Sequence, residues 1–230
     1  FWASEYNGET RLFEYQANYA ANDNNLFTAG VTYQDEEASS DLQALVNQTS
    51  TGVFLEDRIT LQENWHATAG VRWDEFSRAG DANTYRLSTI YHLQDKPAHI
   101  HAALGTGFRA PALAENLFAF GNPDLAPETS KGWELGYTTQ LHDGQILFDA
   151  TYFRNDFENL IVWNPSLFVL DNVGLAQSSG VELTLDWQLN DRTTVNANYT
   201  LTNTVNRETG SELLRRPKHR SMINLEHMLE

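Results

Sequence analysis

The feature that most restricts what this chain can fold into is a two-residue alternation of apolar and polar side chains, sustained over long segments. It is cleanest in GVELTLDWQL, where Val181, Leu183, Leu185, Trp187 and Leu189 share one side while Glu182, Thr184, Asp186 and Gln188 share the other. Successive side chains of an extended strand point to opposite faces, so such a segment reads as a strand with one apolar and one wet face. TVNANYTLTN repeats the pattern, with Val195, Ala197, Tyr199 and Leu201 against Asn196, Asn198, Thr200 and Thr202. So do KGWELGYTTQL, with Trp133, Leu135, Tyr137 and Leu141, and HATAGVRWDEF, with Ala67, Ala69, Val71 and Trp73. Roughly eleven strands are predicted, near residues 9–20, 26–36, 51–62, 66–77, 84–93, 98–108, 130–141, 145–157, 177–189, 193–205 and 217–228.

Strand length and the connections narrow the fold class. Strands in globular sheets usually run about 5–6 residues, whereas about 9–11 tilted residues cross a bilayer, and these segments fall in the longer class. Short connections (ANDNN, ENW, QDKP, HDG, ND) alternate with longer predicted loops around 37–50, 78–83, 109–129, 158–176 and 206–216. One end trimmed and the other elaborated is the habit of a membrane barrel, and a soluble sandwich has no reason to keep it. Tyr19, Tyr33, Trp65, Trp73, Trp133, Tyr152 and Trp187 lie near strand ends, where interfacial aromatic belts belong. A large soluble β-protein would bury the same rings in its core. Alternation, strand length and loop asymmetry together favour an all-β, antiparallel transmembrane β-barrel.

Composition agrees without announcing a membrane protein. The chain has 230 residues, 15 Lys+Arg against 31 Asp+Glu, a formal charge of -16 and a mean hydropathy of -0.48. No run approaches the ~18 apolar residues of a transmembrane helix, but barrel strands alternate and average to polar. With no cysteine, disulfides and thiolate metal sites are excluded. The acidity argues against nucleic acid as a partner, since no basic stripe is available to neutralise phosphates. FWASEYNG opens the chain without a basic n-region or apolar h-region, which is expected of a fragment or of a chain whose signal was removed.

Residues 105–137, GTGFRAPALAENLFAFGNPDLAPETSKGWELGY, resemble the signature of TonB-dependent receptor barrels: a strand end, a long outer loop with a GNPDLxPE turn, and the next strand. YFRNDFENLIVW (152–163), DNVGLAQSSGVELTLDW (171–187) and ELLRRPKHR (212–220) follow in the order and approximate spacing of that family. Within it the run is most similar to the cobalamin (vitamin B12) receptor branch. The resemblance implies a barrel of twenty-two strands around an N-terminal plug, in the outer membrane of a Gram-negative cell. On that reading residues 1–230 are one partial barrel domain, at about the eighth to eighteenth strands, with the plug and last strands outside it. It further implies energy-coupled uptake of a scarce nutrient, most simply cobalamin, with a ferric siderophore or haem as alternatives on the same fold. A passive pore or surface protein is the alternative of a different class. The implied partners are outer-membrane lipid and lipopolysaccharide, the nutrient, and TonB acting through the plug.

The residues call for no enzyme and no cofactor. Ser and His are scattered, and the close pair His99 and His101 has no activated nucleophile beside it. Folding the QDKP turn should bring His92 next to His99, giving three imidazoles on the wet side. Adjacent imidazoles can ligate a transition metal, although hydrogen bonding is their commoner role, and no metal site is assigned. The acidic run Asp35, Glu36, Glu37 with Asp41 is expected in a solvated loop. Pro123 and Pro127, with Gly121 and Asn122, suit a fixed turn in the GNPDLAPE segment. For substrate contact, the resemblance carries over Arg215, the first arginine of LLRRPKH, and Thr10, near the position of a contacting threonine. Phe118, Phe120 and Phe168 are loop aromatics able to pack on a large ligand or to staple loops together.

Overall fold

Strands whose apolar rows lie on one side keep those rows aligned when consecutive strands pair as hairpins, since a one-residue slip would carry every apolar group to the wrong face. The computed structural model describes residues 5–41, 43–118 and 121–229 and contains such a sheet. Its strands are β1 (Tyr6–Asn22), β2 (Asn25–Ser40), β3 (Gln43–Gln62), β4 (Trp65–Phe76), β5 (Gly80–His92) and β6 (Ala98–Arg109). After a short helix, α1 (Leu113–Leu117), come β7 (Glu128–Leu141), β8 (Ile146–Asn164), β9 (Val169–Asn190), β10 (Thr193–Asn206) and β11 (His219–His227). Spatial order equals chain order across the 11-stranded sheet, as the predicted strand count requires.

Register carries the face separation across the whole sheet. Trp65, Tyr91, Ile100, Tyr137, Ala150, Leu183 and Tyr199 form one continuous row from β4 to β10. One residue away along each strand, His66, Ile90, His101, Gly136, Thr151, Glu182 and Thr200 form the neighbouring row on the opposite, mostly polar face. The apolar face is uncovered: Val71 is 59% and Leu135 52% exposed. So wide an apolar surface needs lipid against it. On β4 the outward rings Trp65 and Trp73 are eight residues apart, roughly 26 Å along the strand at about 3.3 Å per residue and less once the strand tilts, which matches an apolar band of about 25 Å.

Charged side chains appear on the apolar side beyond these rings, as in the pair Arg154–Asp156 at 3.1 Å and Arg11–Glu9 at 2.7 Å. Asp57 is an exception within the band, in register with Phe27 and Ala69. One of its oxygens accepts a hydrogen bond from Asn25 Nδ2 at 2.7 Å, and the other is buried without a partner.

The predicted long loops require correction at three places, one being 78–83, where β4 and β5 pair up to Phe76 and Gly80 and leave only a turn of residues 77–79. β2 and β3 pair as far as Ser40 and Gln43, so Asp35, Glu36 and Glu37 sit on a strand rather than in a loop, and Asp41 lies in the turn. Likewise β8 and β9 pair up to Asn164 and Val169, turning the expected 158–176 loop into an extended hairpin. Polar alternation that leaves the membrane has no core to reveal it, yet backbone pairing continues past the lipid. The asymmetry of the two ends survives, with the β4–β5 turn as its exception, as tall hairpins on one side and tight turns on the other. β1 and β11 each pair on one side only, and in lipid such edges require further strands.

Candidate functional site: the mouth and the polar wall

At the tall-hairpin end, the connection between β6 and β7 is held by charges that close its two ends together. Arg109 Nε donates to Glu128 Oε2 at 2.7 Å and its Nη1 to Glu115 Oε2 at 2.8 Å. Glu115 also accepts the Ala112 N–H at 2.8 Å, which fixes the start of α1. Glu128 Oε1 takes the Ile161 N–H of β8 at 2.7 Å, tying the same cluster to the next hairpin. Burial pushes the Glu128 carboxyl up, but the hydrogen bonds from Arg109 and from the Ile161 backbone outweigh it and hold the group below its ordinary value. The same carboxylates raise the Arg109 guanidinium further above its ordinary range.

Asn172, in the DNVG segment of β9, explains how the GNPDLAPE turn is anchored. Its Oδ1 accepts the Ala126 N–H at 2.9 Å, while its Nδ2 donates to the Ala126 carbonyl at 3.0 Å and the Asn159 carbonyl at 2.6 Å. A carboxamide matches a peptide group donor for acceptor, so one side chain replaces a rung of backbone pairing. With its ends fixed, the connection folds inward: α1 lies against β2 and β3, and the Phe118 ring stacks on Tyr6 of β1, centroids 5.9 Å apart. The connection therefore crosses the mouth from β6 to β1.

Among the residues expected to touch substrate, the structure brings few together. Phe118 is engaged with Tyr6, which is the stapling role, and Phe168 packs edge-on against Trp163 at 6.2 Å. Thr10 lies on β1 opposite Glu36, on the polar face. Phe120 lies outside the described residues. Arg215 is exposed, in a left-handed turn with φ of 59°, and makes no ion pair or hydrogen bond among the described residues. Its neighbour Arg216 instead contributes to holding Glu128 charged. Sequence reasoning missed the cluster of Arg109, Glu115, Glu128 and Asn172. The opposite charges at both ends of one long connection were the available signal.

Lower on the polar face, large side chains lie across cross-strand glycines. Arg72 reaches over Gly52 to donate to Thr32 Oγ1 at 2.7 Å, its Nε pairs with Asp74 at 2.8 Å, and its guanidinium stands 5.8 Å from the Phe54 ring centre. Near the tight-turn end, His101 crosses Gly136, where any Cβ would collide with its ring, and meets Thr151 Oγ1 at 3.1 Å. His92 and His99 are cross-strand partners, as the turn geometry predicts.

Comparison with known proteins now decides the fold family. Residues 2–227 match the family model described as TonB dependent receptor-like, beta-barrel. The chain belongs to the TonB-dependent receptor β-barrel family. It is 32% identical over 163 residues to the vitamin B12 transporter BtuB of Photobacterium profundum, covering 66% of this chain and 26% of that protein. It is 28% identical over 210 residues to the iron-regulated outer membrane virulence protein of Vibrio cholerae serotype O1, covering 78% of this chain and 32% of that protein. The solved siderophore receptor PirA of Pseudomonas aeruginosa superposes with a TM-score of 0.76 at 24% identity over 87% of this chain and 41% of that one. The copper transporter OprC gives 0.85 at 17% identity over 98% of this chain and 42% of that one. The chain thus spans about a quarter to a third of these curated relatives. As a member of this family it is an outer-membrane chain, its tall hairpins marking the extracellular mouth and its tight turns the periplasmic rim. Its apolar face meets lipid and its polar face lines the lumen.

Proposed function

We propose that this chain forms the central wall of an energy-coupled importer that captures a scarce nutrient at the mouth and passes it inward under the action of TonB. Cobalamin is the nutrient this reading assigns. The observation that carries it is the mouth itself. One connection is drawn across it by Arg109, Glu128 and Asn172, and Arg215, in the β10–β11 connection at the same end, has no ion pair or hydrogen bond among the described residues. Arg215 offers five donors in a fixed fork, suited to amide oxygens or an anionic group of a bulky ligand. The 32% identity to the vitamin B12 transporter of Photobacterium profundum, against 28% to the iron-regulated protein of Vibrio cholerae, supports this reading.

Equilibrium titration of the whole receptor with cyanocobalamin tests this. Submicromolar binding is expected, weakened about 10- to 100-fold by Arg215→Ala, the loss of a hydrogen bond to a charged group being about 1.5–3 kcal/mol. Saturable binding of a ferric siderophore with none of cobalamin would overturn the assignment of nutrient.

A further inference from the structure

The lumen wall near the periplasmic rim carries a line of four imidazoles that the import reading does not use. His66 on β4 stands 6.3 Å from His92 on β5, His92 stands 5.3 Å from His99 on β6, and His99 stands 5.9 Å from His101, all between ring centroids. Thr60 Oγ1 lies 3.4 Å from a ring nitrogen of His66. At the other end His101 meets Thr151, with Asp149 at 3.9 Å, and that carboxylate is held by Thr138 and Thr151 at 2.7 and 2.9 Å. The two central rings differ: neither the His92 nor the His99 imidazole hydrogen bonds to another described residue. They border a recess of about 300 Å³ that Thr138, Gln140 and Lys96 also line.

We propose that His92 and His99 form a two-imidazole site for a divalent first-row transition ion, with His101 and His66 as flanking positions to which the ion can step. Two imidazoles sharing one ion, with about 2.0–2.1 Å from metal to each nitrogen, place their ring centres roughly 5 Å apart. The His92–His99 spacing meets this with a few tenths of an ångström to spare, and the flanking pairs need a modest ring rotation. Direct cross-strand pairing points both side chains to the same face, so no backbone movement is required. Among the described residues no three such ligands converge, so water completes the coordination shell and the ion remains exchangeable. That suits passage through a lumen rather than a structural role. Imidazole without thiolate ligands selects borderline ions, with Cu(II) bound most tightly of the divalent series. Thr151, itself donating to Asp149, is the hydrogen-bonding partner that orients the His101 ring, as such partners of metal-bound histidines commonly do. The exposed Lys96 opposes binding by its charge, and its flexible chain can swing clear of the recess.

This site is independent of the nutrient assignment, because it lies at the opposite end of the wall from Arg215. The test uses the whole receptor, purified without a polyhistidine tag and titrated with Cu(II) alone while electron paramagnetic resonance is recorded. Expected is a signal with hyperfine splitting from two nitrogens, saturating at micromolar copper. His99→Gln and His92→Gln each weaken it by about tenfold or more, as loss of a ligand should cost no less than loss of a supporting group. His101→Gln leaves the two-nitrogen signal in place. Heat-modifiable gel mobility checks that each variant is folded. Copper affinity unchanged in a folded His99→Gln receptor, or no two-nitrogen signal in the parent, would overturn the proposal.

Discussion

Placing a lysine at Leu183 and, separately, at its neighbour Thr184 isolates the face assignment from everything else about the chain. Both residues lie on β9, adjacent in sequence, with similar backbone pairing on either side. Leu183 stands in the apolar row between Ala150 and Tyr199. It is four residues from Trp187, roughly 13 Å along the strand at about 3.3 Å per residue. With a strand tilt of about 35–45° that is roughly 10 Å of height, near the middle of the band. A lysine on the lipid face at midplane costs about 2–4 kcal/mol, so the folded-to-unfolded ratio should fall by roughly 30- to 800-fold, at about 1.4 kcal/mol per factor of ten. Thr184 faces the lumen opposite Asp149 and Asn198, and a lysine there meets water and a carboxylate. Its effect should stay within about 0.5 kcal/mol, as for other substitutions away from packed features. Reversible urea unfolding of the whole receptor in phospholipid vesicles measures both. Equal losses, or a larger loss at Thr184, would refute the assignment of lipid and lumen faces.

Three further outcomes follow from particular contacts. Asn172→Ala removes three hydrogen bonds that anchor the β6–β7 connection, at about 0.5–1.5 kcal/mol each. Limited proteolysis should then cut between residues 110 and 127 while the membrane strands stay protected. The Glu128 carboxyl is held below its ordinary value, so its contribution is fully present above the unfolded value of about 4.3 and is lost as pH falls through the lower folded value. Protection of this connection against hydrogen exchange, measured relative to the intrinsic rate at each pH, should therefore be unchanged from pH 7 to about 5 and should fall only below about pH 4. Replacing Asn25 and Asp57 together with leucine removes a polar pair with an unpartnered buried oxygen from the lipid face. The double variant should match or exceed the parent in urea, since exchanging both partners for apolar groups is neutral or stabilising.

What could be read from the sequence follows from which interactions are local. Period-2 alternation gave the strands and their faces because each residue of GVELTLDWQL reports its own environment, lipid or water. The QDKP turn likewise places His92 against His99 through a handful of bonded neighbours. Where hairpins rise above the membrane both faces meet water, so Asp35, Glu36 and Glu37 carry a loop-like composition while pairing as strand. The cover of the mouth was hidden for a different reason. Its defining contacts join Asn172 to Ala126 and Phe118 to Tyr6, far apart in sequence and dependent on the finished sheet. Arg109, Glu115 and Glu128 fall within one predicted loop, and it is the paired strands that bring them together. Thr10 and Arg215 rest on resemblance, and the proposal above takes up Arg215 alone.

The tall hairpins of the wall face outward and its tight turns face the periplasm, and this orientation is open to a direct test because the chain contains no cysteine. Single substitutions Ser166→Cys and Glu208→Cys place a thiol in the β8–β9 and β10–β11 connections. Asp143→Cys and Asp191→Cys place one in the tight turns. Intact cells carrying the whole receptor are treated with a maleimide polymer too large for general porins. Labelling at 166 and 208, with none at 143 and 191 until the outer membrane is breached, is the expected result. Labelling of the tight turns in intact cells, with the tall hairpins protected, would contradict the orientation and with it the placement of the nutrient mouth.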